Sequence, residues 1–477
     1  MRRIFTIFSM SATLVTTAQS RYLTLNDALS LGFERNPAIV ATKYAEQAAH
    51  RERQAAIGLF MPRVSVKGAY IHLNKDIDID LNGLKSGISE AIGGLLSNPE
   101  IGSALAPYLP TIQSGLSSLS GLDLSYTIQP KNSAFLGGDV VLPLFAGGKI
   151  WIANKAAKLN EERTQQQSRQ VRSALTVEIV ERYFGVALAR QGVAIREEAV
   201  AVVAQHLHDV AVLEREGMAV ESERLYAEYR LAEAERDLQR ARLQLETACK
   251  ALQNSLGTTE RIEPSTPTFL LSKIEPLNHF LSVAKLHNPQ LGEVNKMREL
   301  ARANLQLHRA DLFPEIVAMG EMVFCDHQLS PLTPRMAVGI GLNFNIFSGL
   351  SRAYKSSAAR LQLRRVETLE QKAEQDIFLL VEDQYNKVQA VLATTSAVER
   401  SARFCEEYLR AKQRAFQEGM ATTTDVIDAA LNLSRARLER IATAYEFDIA
   451  LARLLNSAGI CEAFVQYSTA QTAQSIF

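Results

Sequence analysis

Two halves of this chain carry the same succession of motifs, and any fold it adopts has to accommodate both copies. Arg35-Asn36-Pro37-Ala38-Ile39 returns as His287-Asn288-Pro289-Gln290-Leu291, and Leu59-Phe60-Met61-Pro62 returns as Leu312-Phe313-Pro314. Phe145-Ala146-Gly147-Gly148 returns as Phe347-Ser348-Gly349-Leu350, and Glu216-Gly217-Met218-Ala219 as Glu418-Gly419-Met420-Ala421. The Asn-Pro motifs lie 252 residues apart and the Gly motifs 202, so the first half holds 50 additional residues between Pro62 and Phe145. Duplicated units of this length, each holding helices and strands, imply one pseudo-symmetric body rather than a solenoid of short modules.

Helical pattern dominates both copies. Gly148 to Glu216 and Gly349 to Glu418 contain no proline and are rich in Ala, Leu, Glu, Gln and Arg. At about 1.5 Å per residue each would run on the order of 100 Å, a length that calls for coiled-coil packing. Leu175, Ile179, Tyr183 and Val186 match Ile377, Val381, Tyr385 and Val388, which marks both sets as core positions. Each long helix runs to a glycine, Gly217 or Gly419, and a second helix follows over about 219–255 and 422–457. Glycine ends helices because it accepts a left-handed backbone, so the Gly-Met-Ala turns are hairpin tips.

Four short segments follow a different period. From Met336 to Ile346, Met336, Val338, Ile340, Leu342, Phe344 and Ile346 share one face and Ala, Gly and Asn the other. That alternation suits a strand between lipid and a watery lumen. Segments at about 134–144, 63–73 and 314–324 alternate as well, with Leu136, Val140 and Leu142 against Asp139, Val64 and Val66 against Arg63, Ser65 and Lys67, and Ile316 and Met322 against Glu315 and Glu321. Each is long enough to cross a tilted bilayer path. Four strands cannot close a barrel, and open edges are not tolerated in lipid, so several chains must complete one cylinder. The fold class is therefore mainly α with a small transmembrane β part.

Domain organisation follows from the repeat. Residues 1–20, with Arg2 and Arg3, an apolar stretch from Ile4 to Val15 and Ala18-Gln19-Ser20, read as a secretory signal peptide. The first repeat is expected at 21–257 with an inserted loop at about 74–133, a linker at 258–276, the second repeat at 277–459 and a poorly ordered tail at 460–477. The insert reads as a solvated loop with short amphipathic helices. Its Asp76, Asp78 and Asp80 lack the Gly and distal Glu of a calcium loop.

Other chemistry finds little support. Charge balances, with 52 basic and 52 acidic residues, which removes the electrostatic argument for a nucleic-acid partner. Cys249, Cys325, Cys405 and Cys461 are too dispersed for a metal knuckle, and their pairing is not legible from spacing. His206 and His208 flank Leu207 on a helix and so point apart, which favours solvated surface over a metal pair. Gly137-Gly138 lacks the strand-loop-helix context of a phosphate cradle. No cofactor and no enzymatic activity are expected.

Over nearly its whole mature length the chain resembles the TolC family of outer-membrane efflux proteins. The resemblance is carried by Leu23-Thr24-Leu25-Asn26-Asp27-Ala28-Leu29 leading to Asn36-Pro37, by Leu59-Phe60-Met61-Pro62 and by Leu142-Pro143-Leu144-Phe145-Ala146-Gly147-Gly148. Its strongest part is Glu418-Gly419-Met420-Ala421-Thr422-Thr423-Thr424-Asp425-Val426-Ile427-Asp428-Ala429. It implies a homotrimer forming one 12-stranded barrel in outer-membrane lipid, a helical tunnel through the periplasm, and tips that dock a periplasmic adaptor and an inner-membrane pump of RND, ABC or MFS type. The alternative function is a non-conducting periplasmic coiled-coil scaffold or adaptor-like protein, which would lack the strand pairs.

The resemblance also places a periplasmic entrance gate at Asp425, Asp428, Ser222, Glu223, Phe416 and Ala421. Asp425 and Asp428 are three apart and share a helical face, so threefold symmetry would stack them into two carboxylate rings; helix-start capping is the competing reading for Asp425. The family's latch joins an aromatic and an arginine of the second repeat to a first-repeat hydroxyl and acid. Phe416 has no hydroxyl and Ala421 no charge, so either Arg215, Arg224 or Arg414 substitutes or closure rests on packing. Adaptor-contact tips fall on Glu216, Gly217, Met218, Glu418, Gly419 and Met420, with glutamates where the family often has an apolar residue.

Overall fold

In the computed structural model the described residues are 21–97, 106–330, 332–469 and 473–475; the expected signal segment, 1–20, lies outside them. The chain forms two compact units. A helical unit is drawn from residues up to Arg53, Lys155–Leu305 and Ser357 onward, and a second unit from Gln54–Asn154 and Gln306–Ser356.

In the helical unit β1 (Arg21–Leu23) leads into α1 (Leu25–Arg35) and α2 (Pro37–Ile57). The long helices are α5 (Lys149–Arg215) and α9 (Ser351–Gln417), 67 residues each. Their hairpin partners are α6 (Glu221–Leu256) and α10 (Thr423–Ser457). Of the expected core positions all but the half-buried Tyr385 are buried: Ile179, Tyr183, Val186, Val381 and Val388 are fully enclosed, joined by Phe184, Phe280, Phe447 and Phe464.

The Asn-Pro repeat has one structural explanation, used twice. The Asn36 Oδ1 accepts from the Ala38 amide at 2.8 Å, opening α2, while its Nδ2 donates to the Ser255 carbonyl at 2.8 Å, closing α6. Asn288 does the same between Gln290, at the start of α8 (Pro289–Ala310), and Ser457, at the end of α10. Each asparagine thus satisfies the orphaned ends of two helices at once.

The residues expected to link the repeats are structural. β6 (Ile262–Pro264) pairs in parallel with β1, and β7 (Phe269–Leu271) packs into the core, with α7 (Leu277–His287) following. The buried Tyr183 hydroxyl donates to the Leu23 carbonyl at 2.7 Å and accepts from the Ser265 and Thr266 amides. Of the tail expected to be poorly ordered, residues 470–472, 476 and 477 lie outside the described ones; over the rest a short helix, Cys461–Ala463, leads into α11 (Phe464–Thr469), and β10 (Ala473–Ser475) pairs antiparallel with β7. The anchor is Phe464, whose ring is fully buried against Phe184 and Phe269; no periodic pattern over so few residues announces such a plug.

The second unit holds an antiparallel four-stranded sheet in the order β2 (Arg63–His72), β5 (Asn132–Ala146), β8 (Glu315–His327), β9 (Met336–Asn343). The fourth strand stops at Asn343, short of the expected Ile346. Register separates the faces. Val64, Val140, Gly320 and Val338 align across the sheet, and on the opposite face Ser65, Asp139, Glu321 and Ala337 align. The polar face carries a Lys67–Glu321 ion pair of 2.8 Å. Between β2 and β5 the insert is folded into β3 (Ile77–Asp80), α3 (Asn82–Leu96), α4 (Leu109–Ser120) and β4 (Ser125–Gln129), with β3 and β4 paired. Among the described residues no helix is long and apolar enough to cross a membrane.

Candidate functional site

The two hairpin tips are built alike. At Gly217 (φ +74°) the Met218 amide reaches back to the Leu213 carbonyl and the Gly217 amide to Glu214; at Gly419 (φ +73°) Met420 and Gly419 bond Ala415 and Phe416 in the same way. This double bond pattern around a left-handed glycine closes a helix without a side chain. Glu216, Gly217, Met218, Glu418, Gly419 and Met420 are all exposed.

The tips differ in how the next helix starts. Val220 offers α6 no side-chain cap, whereas Thr422 and Asp425 form a reciprocal capping box on α10. The Asp425 carboxylate accepts from the Thr422 amide and hydroxyl, at 3.1 and 3.0 Å, and from the Lys412 Nζ at 3.0 Å. The Thr422 amide first, and then Lys412, hold its pKa below the usual carboxylate range.

Asp428 turns to a different neighbour. Its Oδ1 accepts from the Tyr226 hydroxyl at 3.2 Å and from Arg230 at 2.5 Å, both on α6. Arg230 also donates to Glu233 at 2.9 Å, and its side chain is largely buried. Burial raises the Tyr226 pKa, which keeps the phenol in its donating form. The structure therefore splits the two aspartates expected to act together: one is tied along its own hairpin to Lys412, the other across to the first repeat, and each faces a cation.

Sequence reasoning missed Tyr226 and Arg230. Arg224, one of the arginines considered as a latch, turns back on its own hairpin to Glu214 and Glu228. A signal was available, because Tyr226 and Asp428 lie 202 residues apart, the offset of the tip repeat. The two residues occupy equivalent positions of the repeat, and here one copy carries the donor and the other the acceptor. Ser222 is exposed and Glu223 half-buried near the first tip, and Ala421 is half-buried beside the capping box.

Phe416 packs instead of bonding. Its ring meets His206 edge-on, with centroids 4.5 Å apart, beside the cluster of Leu409, Val426 and Ala429. The solvated reading of His206 is corrected: it is buried, its Nε2 has no partner, and burial lowers its pKa, while His208 is exposed as expected. Between α5 and α9, above the tips, a groove of about 810 Å³ is lined by Gln205, His206, Asp209, Gln413, Phe416 and Gln417 among others.

The chain matches the model of the family described as outer membrane efflux protein over residues 96–258 and 280–460, one match in each half. No curated protein matches it in sequence. Among solved structures it is similar to CusC, at 16% identity over 91% of this chain and 92% of that one, with a TM-score of 0.71. It is also similar to VceC of Vibrio cholerae (14% identity, 91% and 96% covered, TM-score 0.68) and to the CmeC outer membrane channel of Campylobacter jejuni (12%, 93% and 89%, TM-score 0.69). At these identities the likeness is one of fold: long helical hairpins with a small β part.

Proposed function

Because the chain belongs to the outer membrane efflux protein family, we propose that it is the outer-membrane exit duct of an export system, working as a homotrimer whose three sheets complete one 12-stranded barrel. The observation that carries this reading is the β2-β5-β8-β9 sheet. One face is an apolar row and the other holds Lys67, Asp139 and Glu321, while β2 and β9 are left as open edges. Open edges are not tolerated in lipid, so the β2 edge of one protomer takes the β9 edge of the next. The insert between β2 and β5 then lies outside the cell, and the hairpin tips form the periplasmic entrance.

At that entrance the Tyr226–Asp428–Arg230 cluster ties the second hairpin of each protomer to the first and holds the tips closed. Parting them removes the arginine from Asp428 and turns three carboxylates toward a narrow axis, where they favour cations. The exposed Met218 and Met420 tips and the groove beside Phe416 are the surfaces offered to a periplasmic adaptor, with an inner-membrane pump of RND, ABC or MFS type completing the system. Drugs and other toxic small molecules, or a secreted protein, pass through the solvated lumen. The test is fractionation and export together. The protein should co-sediment with outer membrane, run as a heat-dissociable trimer in detergent, and on deletion leave cells hypersensitive to exported compounds. A periplasm-soluble monomer with no change in susceptibility would overturn the reading.

A further inference from the structure

Near the tips one stretch of α5, Val202 to Leu207, packs on both hairpins, and its side chains divide by helical spacing. Val202 and Phe416 lie against the cluster of Leu409, Val426 and Ala429, which joins α9 to α10. Val203 is fully buried with Ala227 of α6 and Ile427 of α10, and Leu207 and Tyr226 lie against that second cluster. The same stretch of α5 thus adjoins Phe416 on one side and, on the other, the phenol that donates to Asp428. Close-packed side chains pass a displacement on to their neighbours, so a shift of this stretch is felt at Tyr226.

His206 is the polar side chain buried in that stretch. It is 6% exposed, its Nε2 has no partner, and its ring stands edge-on to Phe416. The charged groups that face it are Asp209 on its own helix and Glu223 on α6; from α9 and α10 it meets the uncharged Phe416 ring and Thr423 backbone. Enclosing an imidazolium there is costly, and burial prevails over the pull of both acids to hold the pKa low. Once α5 parts from α9, water reaches the ring and its pKa returns toward the ordinary value of about 6.5. As pH falls, the parted form therefore binds the proton first, and protonation favours parting by the same linkage.

We propose that His206 is an acid-sensitive switch of the entrance: on protonation it drives α5 away from Phe416 and Thr423, disturbs the Tyr226–Asp428 contact through Leu207, and opens the tips. The inference rests on the closed-tip reading above. The test is single-channel conductance of the full-length trimer in planar bilayers at pH 7.5 and 5.5. Wild type is compared with His206→Leu and His206→Gln, and Arg230→Met at pH 7.5 is the reference for an untied tip. Wild type should conduct severalfold more at pH 5.5. The two His206 variants, which take up no proton at this position, should each stay at their own pH 7.5 level. A wild-type conductance that is flat across this range would overturn the switch. So would a rise of wild-type size in both variants, which would assign it to the tip carboxylates. Failure of the tie itself appears separately, as wild-type conductance in Arg230→Met.

Discussion

Gly257 and Gly459 carry the same task in the two repeats, and each is irreplaceable for two reasons. Both hold a left-handed backbone, at φ +62° and +78°. A Cβ at Gly257 would sit 2.9 Å from the Arg35 carbonyl oxygen, and one at Gly459 2.6 Å from the Asn288 backbone. Gly459→Ala should therefore destabilise the helical unit by about 2–4 kcal/mol, from left-handed strain plus overlap, seen as a lower urea midpoint. A cost below about 1 kcal/mol would show that the close approach relaxes freely. His206 gives a pH-dependent counterpart. Burial lowers its pKa in the folded tip, so above its unfolded value of about 6.5 it is neutral in both states and the full stability is present. As pH falls below that value the unfolded chain binds the proton first, and stability is lost down to the folded pKa. Amide protection factors at the tips, taken against the intrinsic exchange rate at each pH, should fall from pH 7.5 to 5.5 in the wild type. His206→Leu should remove that fall, and an equal fall in the variant would assign it to other groups.

Among the elements, β9 is the most exposed to a single change. Ile340 stands in its apolar row, 74% exposed in the protomer and aligned with Ala318. Ile340→Arg should cost roughly 2–4 kcal/mol per protomer near the bilayer midplane, read as loss of heat-stable trimer from outer-membrane fractions; normal insertion would refute a lipid-facing β9. This row was legible in the sequence because a strand's period of two sorts lipid from lumen residue by residue. The long helices were legible because an uninterrupted 3.6 pattern over 67 residues has no other reading. The parts that were not legible depend on contacts between distant segments. Phe464 plugs the core from a stretch too short for periodicity, and β6 and β7 are three-residue strands whose partners, β1 and β10, lie far along the chain. At the tips, the family resemblance and the three-residue spacing pointed to Asp425 and Asp428 but not to the directions of their side chains. Those depend on Lys412 in one case and on Tyr226 and Arg230 in the other.

For the whole molecule the duplication sets the architecture and, in the gating proposed above, the control. Two hairpins of equal construction leave an internal near-symmetry, and the closure proposed above arises where that symmetry is broken, at Tyr226 in one copy and Asp428 in the other. The most direct measurement is single-channel current in planar bilayers across a KCl gradient, comparing wild type with Arg230→Met and Asp428→Asn. Both variants remove the Arg230–Asp428 ion pair from the tie while keeping side-chain bulk, so each should conduct severalfold more than wild type. They should then part company in selectivity. Arg230→Met uncovers three carboxylates, which should strengthen cation preference and block by hexamminecobalt, both weakening as salt screens them. Asp428→Asn should shift reversal potentials toward anions and relieve the block. If both variants form intact trimers with wild-type conductance and selectivity, the cluster does not close the entrance, and the account of how this duct is gated is wrong.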